Sequence, residues 1–202
     1  MAKVGKRFRI ALDLAADLHE SQMRKGGDIP YVAHLLGVAA IALEHGATED
    51  EAIAALLHDA LEDQGHQISL EQIRARFGDT VASIVEACTD GDPEEQTDRN
   101  AGRWRRRKEK YIADVSHKPS GALLVSMADK LHNARSILED YRALGEALWP
   151  RFTTGREGTL WYYRALIAAF SARGRTRLLD ELERTIAEIE ALASGTSPTA
   201  GR

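Results

Sequence analysis

Cysteine is almost absent. Cys88 is the only one in 202 residues, which excludes an internal disulfide and any four-cysteine zinc site. Aromatic residues are scarce, at 6%. Long apolar runs are missing too. Ala52 to Leu57 is the longest near the middle of the chain, far below the roughly 20 residues that span a bilayer. After the basic start Met1-Ala-Lys-Val-Gly-Lys-Arg, Asp13 and Asp17 interrupt the only candidate hydrophobic region of a leader, so a cytoplasmic location is expected. Positive charge is in deficit, with 27 Lys and Arg against 31 Asp and Glu, a net −4. A bulk duplex-DNA binder would instead be basic over a whole face. Neither a membrane nor bulk nucleic acid is therefore an expected partner, and nothing in the sequence sets an oligomeric state.

What is abundant is Ala, Leu, Glu and Arg, all strong helix formers. Phe8, Ala11, Leu12, Ala15 and Leu18 fall three and four apart and share one helical face. That first helix ends near Lys25-Gly26-Gly27. Asp28-Ile29-Pro30 reads as the start of a second helix, proline in its first turn, carrying His34 and ending at Gly46. Thr48-Glu-Asp-Glu51 and Ser69-Leu-Glu-Gln72 read as capping boxes. They open helices from Glu49 to about His58 and from 70 to Gly78. Asp79 is expected to cap the next, to about Thr89. Residues 92–102 are expected to form a polar loop. Further helices are expected over about Arg103 to Val115, Gly121 to Tyr141, through Trp161-Tyr162-Tyr163 to Ala172, and Thr176 to Ala193. The spacing predicts an all-α fold of about eight helices in one domain, residues 1–194, with a disordered tail, 195–202.

The candidate chemistry lies at the end of the third helix. His58, Asp59, Glu62 and Asp63 follow the apolar run Ala54-Ala-Leu-Leu57. Residues four apart sit one above the other on a helix, so His58 and Glu62 form one ridge and Asp59 and Asp63 another if the helix continues. Three carboxylates and an imidazole rooted in an apolar segment are costly unless a cation sits among them. Mixed imidazole and carboxylate ligands suit Mn²⁺, Fe²⁺ or Zn²⁺. By itself the cluster equally fits a solvated helix end. His34, among Val32, Leu35, Leu36 and Val38, and Asp129, after Leu123-Leu-Val125, are two more polar residues in apolar settings.

Taken together, His34, then His58-Asp59, then Asp129 match the ligand order of the HD superfamily of phosphohydrolases. The resemblance is closer still. Arg24-Lys25, Tyr31-x-x-His34, Leu57-His-Asp-Ala-Leu-Glu-Asp63 and Ala128-Asp-Lys-Leu-His-Asn-x-Arg135 resemble the hydrolase domain of the Rel/Spo alarmone family over about residues 8–172. The likeness is to a small stand-alone alarmone hydrolase, without synthetase and regulatory domains. Two positions depart from the family pattern. Leu35 stands where proline often follows the first histidine, and Asp90-Gly-Asp-Pro93 stands where long members usually carry a lysine.

The resemblance implies that His34, His58, Asp59 and Asp129 bind one divalent ion, Mn²⁺ first among the choices, which would polarise the phosphoryl group and activate water. It carries Glu62 and Asp63 over as the catalytic pair that orients or deprotonates the water. Arg24, Lys25 and Asn133 are implied as the nucleotide-binding residues, arginine stacking on the purine and lysine meeting a phosphate. The implied reaction removes the 3′-pyrophosphate of (p)ppGpp, giving GDP or GTP. Two other readings stay open: an HD nucleotidase acting on nucleoside monophosphates, and a non-catalytic HD module that binds nucleotide. The six basic residues between Arg103 and Lys110 read either as a solvated face or as a wall for an anionic nucleotide. Tyr162 and Tyr163 read as core or as pocket lining.

Overall fold

The structure, a computed structural model, describes residues 3–89 and 100–195. Among these residues it is all-α, as expected. Ten α-helices and two 3₁₀ segments account for the regular structure, and the only extended pairing is a single antiparallel bridge between Met23 and Pro30. Most of the expected polar loop and all but the first residue of the expected tail lie outside the described residues. Two compact units are present, Met1–Asp98 with His117–Asp129, and Arg99–Ser116 with Lys130–Arg202.

The first unit holds α1 (Lys6–Leu18), α2 (Val32–Glu44), α3 (Glu49–Leu57), α4 (Ala60–Gln64), α5 (Leu70–Phe77) and α6 (Asp79–Cys88). It also holds the first part of α8 (Ser120–Leu144), as far as Asp129. α3 is its centre, packed by α1, α2 and α6. Every residue from Ala52 to Leu57 is fully buried, as an all-round apolar helix must be. Both capping boxes form. Thr48 Oγ1 accepts from the Glu51 N–H at 3.3 Å while Glu51 Oε2 accepts from the Thr48 N–H at 2.7 Å. Ser69 and Gln72 repeat the pattern at 3.3 and 2.8 Å.

Three local expectations fail. α1 ends at Leu18, well before Lys25. α2 starts at Val32, with Tyr31 as its cap residue, and Pro30 lies before it. Pro30 is held in the bridge because the Arg24 N–H donates to Ile29 O and the Tyr31 N–H donates to Gln22 O, both at 2.9 Å. Asp79 is the first residue of α6 and not its cap. Gly78, at φ 91°, takes the cap position, and the Asp79 carboxylate turns to Arg74 Nε at 3.1 Å.

The second unit holds α7 (Ala101–Asp114), the rest of α8, the 3₁₀ segment Gly145–Arg151, α9 (Gly155–Ser171) and α10 (Arg177–Ala193). The Asn100 carboxamide caps α7 by accepting from the Gly102 and Arg103 N–H groups. α9 packs on α7 and α10. Leu166 and Phe170 of α9 and Leu178, Leu179, Leu182 and Ile186 of α10 are buried. Tyr162 and Tyr163 are buried in this unit as well. On α7 the Arg105 guanidinium lies 3.1 Å from the centroid of Trp161 and the Lys108 ammonium 5.1 Å from that of Tyr162. Part of the basic helix therefore rests on aromatic faces and is more than a plain solvated face.

Candidate metal centre and its surroundings

Three segments of the first unit deliver four polar side chains to one place. α2 presents His34 in its first turn, beside buried Leu35 and Val38. α3 ends at Leu57, so its apolar stem carries His58 and Asp59 inward as the chain breaks. The helix ends where expected, near His58, and the alternative of one helix continuing through Asp63 is not realised. His58 caps α3, and Asp59 is the cap residue from which the short α4 restarts. α8 brings Asp129 in after buried Val125 and Ala128. His34, His58 and Asp129 are 2%, 3% and 7% exposed, a degree of burial that charged or titratable groups tolerate only when paired or holding a cation.

His34 Nε2 lies 3.4 Å from Asp59 Oδ2 and 3.3 Å from Asp129 Oδ1, and His58 Nε2 lies 3.0 and 3.8 Å from the same two oxygens. Ligand atoms about 2.1 Å from a common ion stand about 3.0 Å apart at right angles and about 3.4 Å apart at tetrahedral angles. The observed separations fall around those values. The tautomer of His58 also fits. Its Nδ1 donates to Ala55 O at 2.9 Å, which leaves Nε2 as the nitrogen facing the carboxylates. That buried Nε2 has no hydrogen-bond partner. A backbone carbonyl that fixes the outer nitrogen and leaves the inner one open is the usual arrangement behind a metal-ligating histidine. Two carboxylates and two imidazoles also match a dipositive ion in charge and in ligand softness.

Without an ion the four groups perturb one another. Burial alone would lower the pKa of His58, but Asp59 and Asp129 outweigh it and hold it well above the ordinary imidazole value. Burial would raise Asp59, yet His58 and His34 beside it keep its carboxyl well below the usual carboxylate range. Tyr31 Oη donates to Asp59 Oδ2 at 2.7 Å. Burial first, then the nearby carboxylates of Asp59, Asp63 and Asp129, push the Tyr31 hydroxyl far upward, so it stays a donor.

The other expected site residues are placed as follows. Glu62 and Asp63 are half-buried in α4, immediately after Asp59. Arg24, half-buried, and Lys25, exposed, occupy the turn between the bridged residues Met23 and Pro30. Asn133 follows Asp129 by one turn of α8 and belongs to the second unit. Three residues beside the centre had no role assigned from the sequence. Tyr31 appeared only as part of a motif, and His19 and Gln22 not at all. His19 is 2% exposed and stacks on Tyr31 with ring centroids 5.0 Å apart. Gln22 Nε2 donates to Asp63 Oδ2 at 2.7 Å. Only the order Tyr31-x-x-His34 hinted at Tyr31, and nothing local marked the other two.

The HD domain family matches residues 11–159. The chain belongs to the HD domain family. A probable guanosine-3′,5′-bis(diphosphate) 3′-pyrophosphohydrolase from Synechocystis is 37% identical over 130 residues, covering 63% of this chain and 16% of that protein. The chain thus spans less than a fifth of that long relative. A guanosine-3′,5′-bis(diphosphate) 3′-pyrophosphohydrolase from Xenopus tropicalis is 38% identical over 130 residues, covering 63% of this chain and 67% of that one. A solved structure described as a metazoan ortholog of SpoT that hydrolyzes ppGpp superposes with a TM-score of 0.74 at 26% identity, over 94% of this chain and 98% of that one. An HD domain implies a divalent metal, and the cluster of His34, His58 and Asp59, whose ligand atoms lie within 4.8 Å of one another, could hold it.

Proposed function

We propose that this HD domain is a metal-dependent (p)ppGpp 3′-pyrophosphohydrolase that works on a single ion, Mn²⁺ first among the candidates. The observation that carries the reading is the convergence of His34, His58, Asp59 and Asp129, joined by the acidic pair Glu62-Asp63 directly after it. Relatives of similar compass named as 3′-pyrophosphohydrolases support the substrate. In this reading His34, His58, Asp59 and Asp129 hold the ion, with Tyr31 hydrogen-bonded to Asp59 behind it. A bound divalent ion supplies Lewis-acid stabilisation of the charge that builds on the phosphoryl oxygens.

The chain's own groups do the rest. Glu62 and Asp63 orient the attacking water and take its proton. Water adds to the phosphorus attached to the ribose O3′, the P–O3′ bond breaks, and O3′ keeps the electron pair and gains a proton. The products are GDP or GTP and pyrophosphate. Arg24 stacks on the guanine, Lys25 meets a phosphate, and Asn133 hydrogen-bonds the nucleoside. A 5′-monophosphate would have to enter reversed, leaving Arg24 without a base.

The test compares purified protein with Mn²⁺ on ppGpp, AMP and dAMP. Turnover of ppGpp well above that of the monophosphates is expected, and Arg24→Ala is expected mainly to raise KM, because stacking acts about equally on ground and transition states. Cleavage of the monophosphates with ppGpp left intact would replace this reading with a nucleotidase.

A further inference from the structure

A chain of side-chain amides ends on Asp63. Gln67 Nε2 donates to Gln64 Oε1, Gln64 Nε2 donates to Gln22 Oε1, and Gln22 Nε2 donates to Asp63 Oδ2, each at 2.7 Å. A carboxylate can only accept, so Asp63 fixes which end of the Gln22 amide faces it. Gln22 Oε1 then points back and must receive donors, which sets the orientation of Gln64 and in turn of Gln67. His19 Nδ1 lies 2.7 Å from the same Gln22 Oε1 and is therefore the protonated nitrogen of that ring. Its Nε2 is buried without a hydrogen-bond partner, so nothing on the far side of the ring competes for that tautomer. Each donor in the chain points toward Asp63, and such chains strengthen their members by mutual polarisation.

The backbone of Gln22 is fixed as well. Its N–H donates to His19 O at 3.0 Å and its carbonyl accepts from the Tyr31 N–H at 2.9 Å. Gln22 is thus anchored to the segment carrying Tyr31 while its side chain reaches across to α4.

We propose that Gln22 is a positioning residue for Asp63: its amide, itself oriented by Gln64 and His19, fixes Oδ2 and leaves Oδ1 as the oxygen that meets the reacting water. This rests on the catalytic role proposed above for the Glu62-Asp63 pair. Misplacement of a reacting group by about 1 Å can cost about 10²-fold in rate. Loss of the amide therefore shows in kcat and spares nucleotide binding.

Gln22→Leu and Gln64→Leu in the Mn²⁺-loaded protein test this. Gln22→Leu should lower kcat on ppGpp about 10- to 100-fold, with KM and metal content close to wild type. Gln64→Leu should act in the same direction and less, and carries the test if Gln22→Leu does not fold. In an Asp63→Asn background Gln22→Leu should cost less than about twofold more, because residues acting through one another are not additive. An unchanged kcat, or the full loss repeated in that background, would overturn the proposal. If the wild type releases no pyrophosphate from ppGpp, the substrate reading has failed, and the side-chain amide resonances of Gln22 in ¹⁵N NMR decide instead. Their displacement by Asp63→Ala upholds the positioning contact, and unmoved resonances refute it.

Discussion

Tyr31 Oη donates to Asp59 Oδ2 at 2.7 Å, and that same oxygen faces the Nε2 atoms of both His34 and His58. One hydroxyl therefore orients the carboxylate on which the centre converges. Removing a hydrogen bond behind a metal ligand usually costs about 10- to 100-fold in metal affinity. Tyr31→Phe, which keeps the ring stacked on His19, should weaken Mn²⁺ by that factor in a chelator competition. Unchanged affinity would mean that Asp59 is held without Tyr31.

Asp129 is the one proposed ligand supplied by α8, and its Oδ1 lies 3.3 Å from His34 Nε2. Asp129→Ala should leave the protein folded, since Val125, Ala128 and Leu131 around it keep their apolar packing, yet abolish metal retention. Elemental analysis after dialysis, with circular dichroism as the control for folding, checks this. Wild-type metal content in the variant would remove Asp129 from the site.

The raised pKa of His58 predicts a pH dependence. In the metal-free protein the folded state holds a proton that the unfolded chain releases near pH 6.5, so this stabilisation is complete below about pH 6.5 and is lost as pH rises through the higher folded value. The depressed Asp59 acts in the opposite sense, present above about pH 3.9 and lost as pH falls through its lower folded value. The metal-free Tm should therefore decline from about pH 6.5 upward. With His58 as a proposed ligand, metal binding would need its Nε2 lone pair and expel that proton, so the gain in Tm on adding Mn²⁺ should grow over the same interval. Thermal scans at several pH values with and without Mn²⁺ test it. A gain independent of pH would contradict the proton displacement.

Glu62→Gln and Asp63→Asn should each retain metal, because neither is among the four proposed ligands, and lower turnover by about 10² or more, the usual scale of lost general acid–base catalysis. Steady-state rates with metal content measured on the same samples decide it. Near-normal turnover in both would leave the pair without proton chemistry.

The parts of the fold that were legible in the sequence are those whose physics is local. The Thr48–Glu51 and Ser69–Gln72 boxes complete themselves within four residues, and both form. The apolar stem Ala52–Leu57 announced a buried helix, and it is one. The errors came where a partner outside the local motif decides. Pro30 looks like a helix start until Met23 pairs with it across the turn. Asp79 looks like a cap until Arg74 takes its carboxylate. The end of α3 near His58 was legible, but nothing local showed that the break before α4 turns His58 and Asp59 to His34. Gln22 and His19 carried no local signal, because their contacts with Asp63 and Tyr31 are made by folding.

The products of ppGpp turnover by the Mn²⁺-loaded protein, followed by ³¹P NMR, bear most directly on the proposed activity. Pyrophosphate and GDP should appear together in equal amounts, and Asp129→Ala should yield neither. Release of orthophosphate, loss of the 5′-diphosphate, or intact ppGpp beside cleaved nucleoside monophosphates would contradict a 3′-pyrophosphohydrolase.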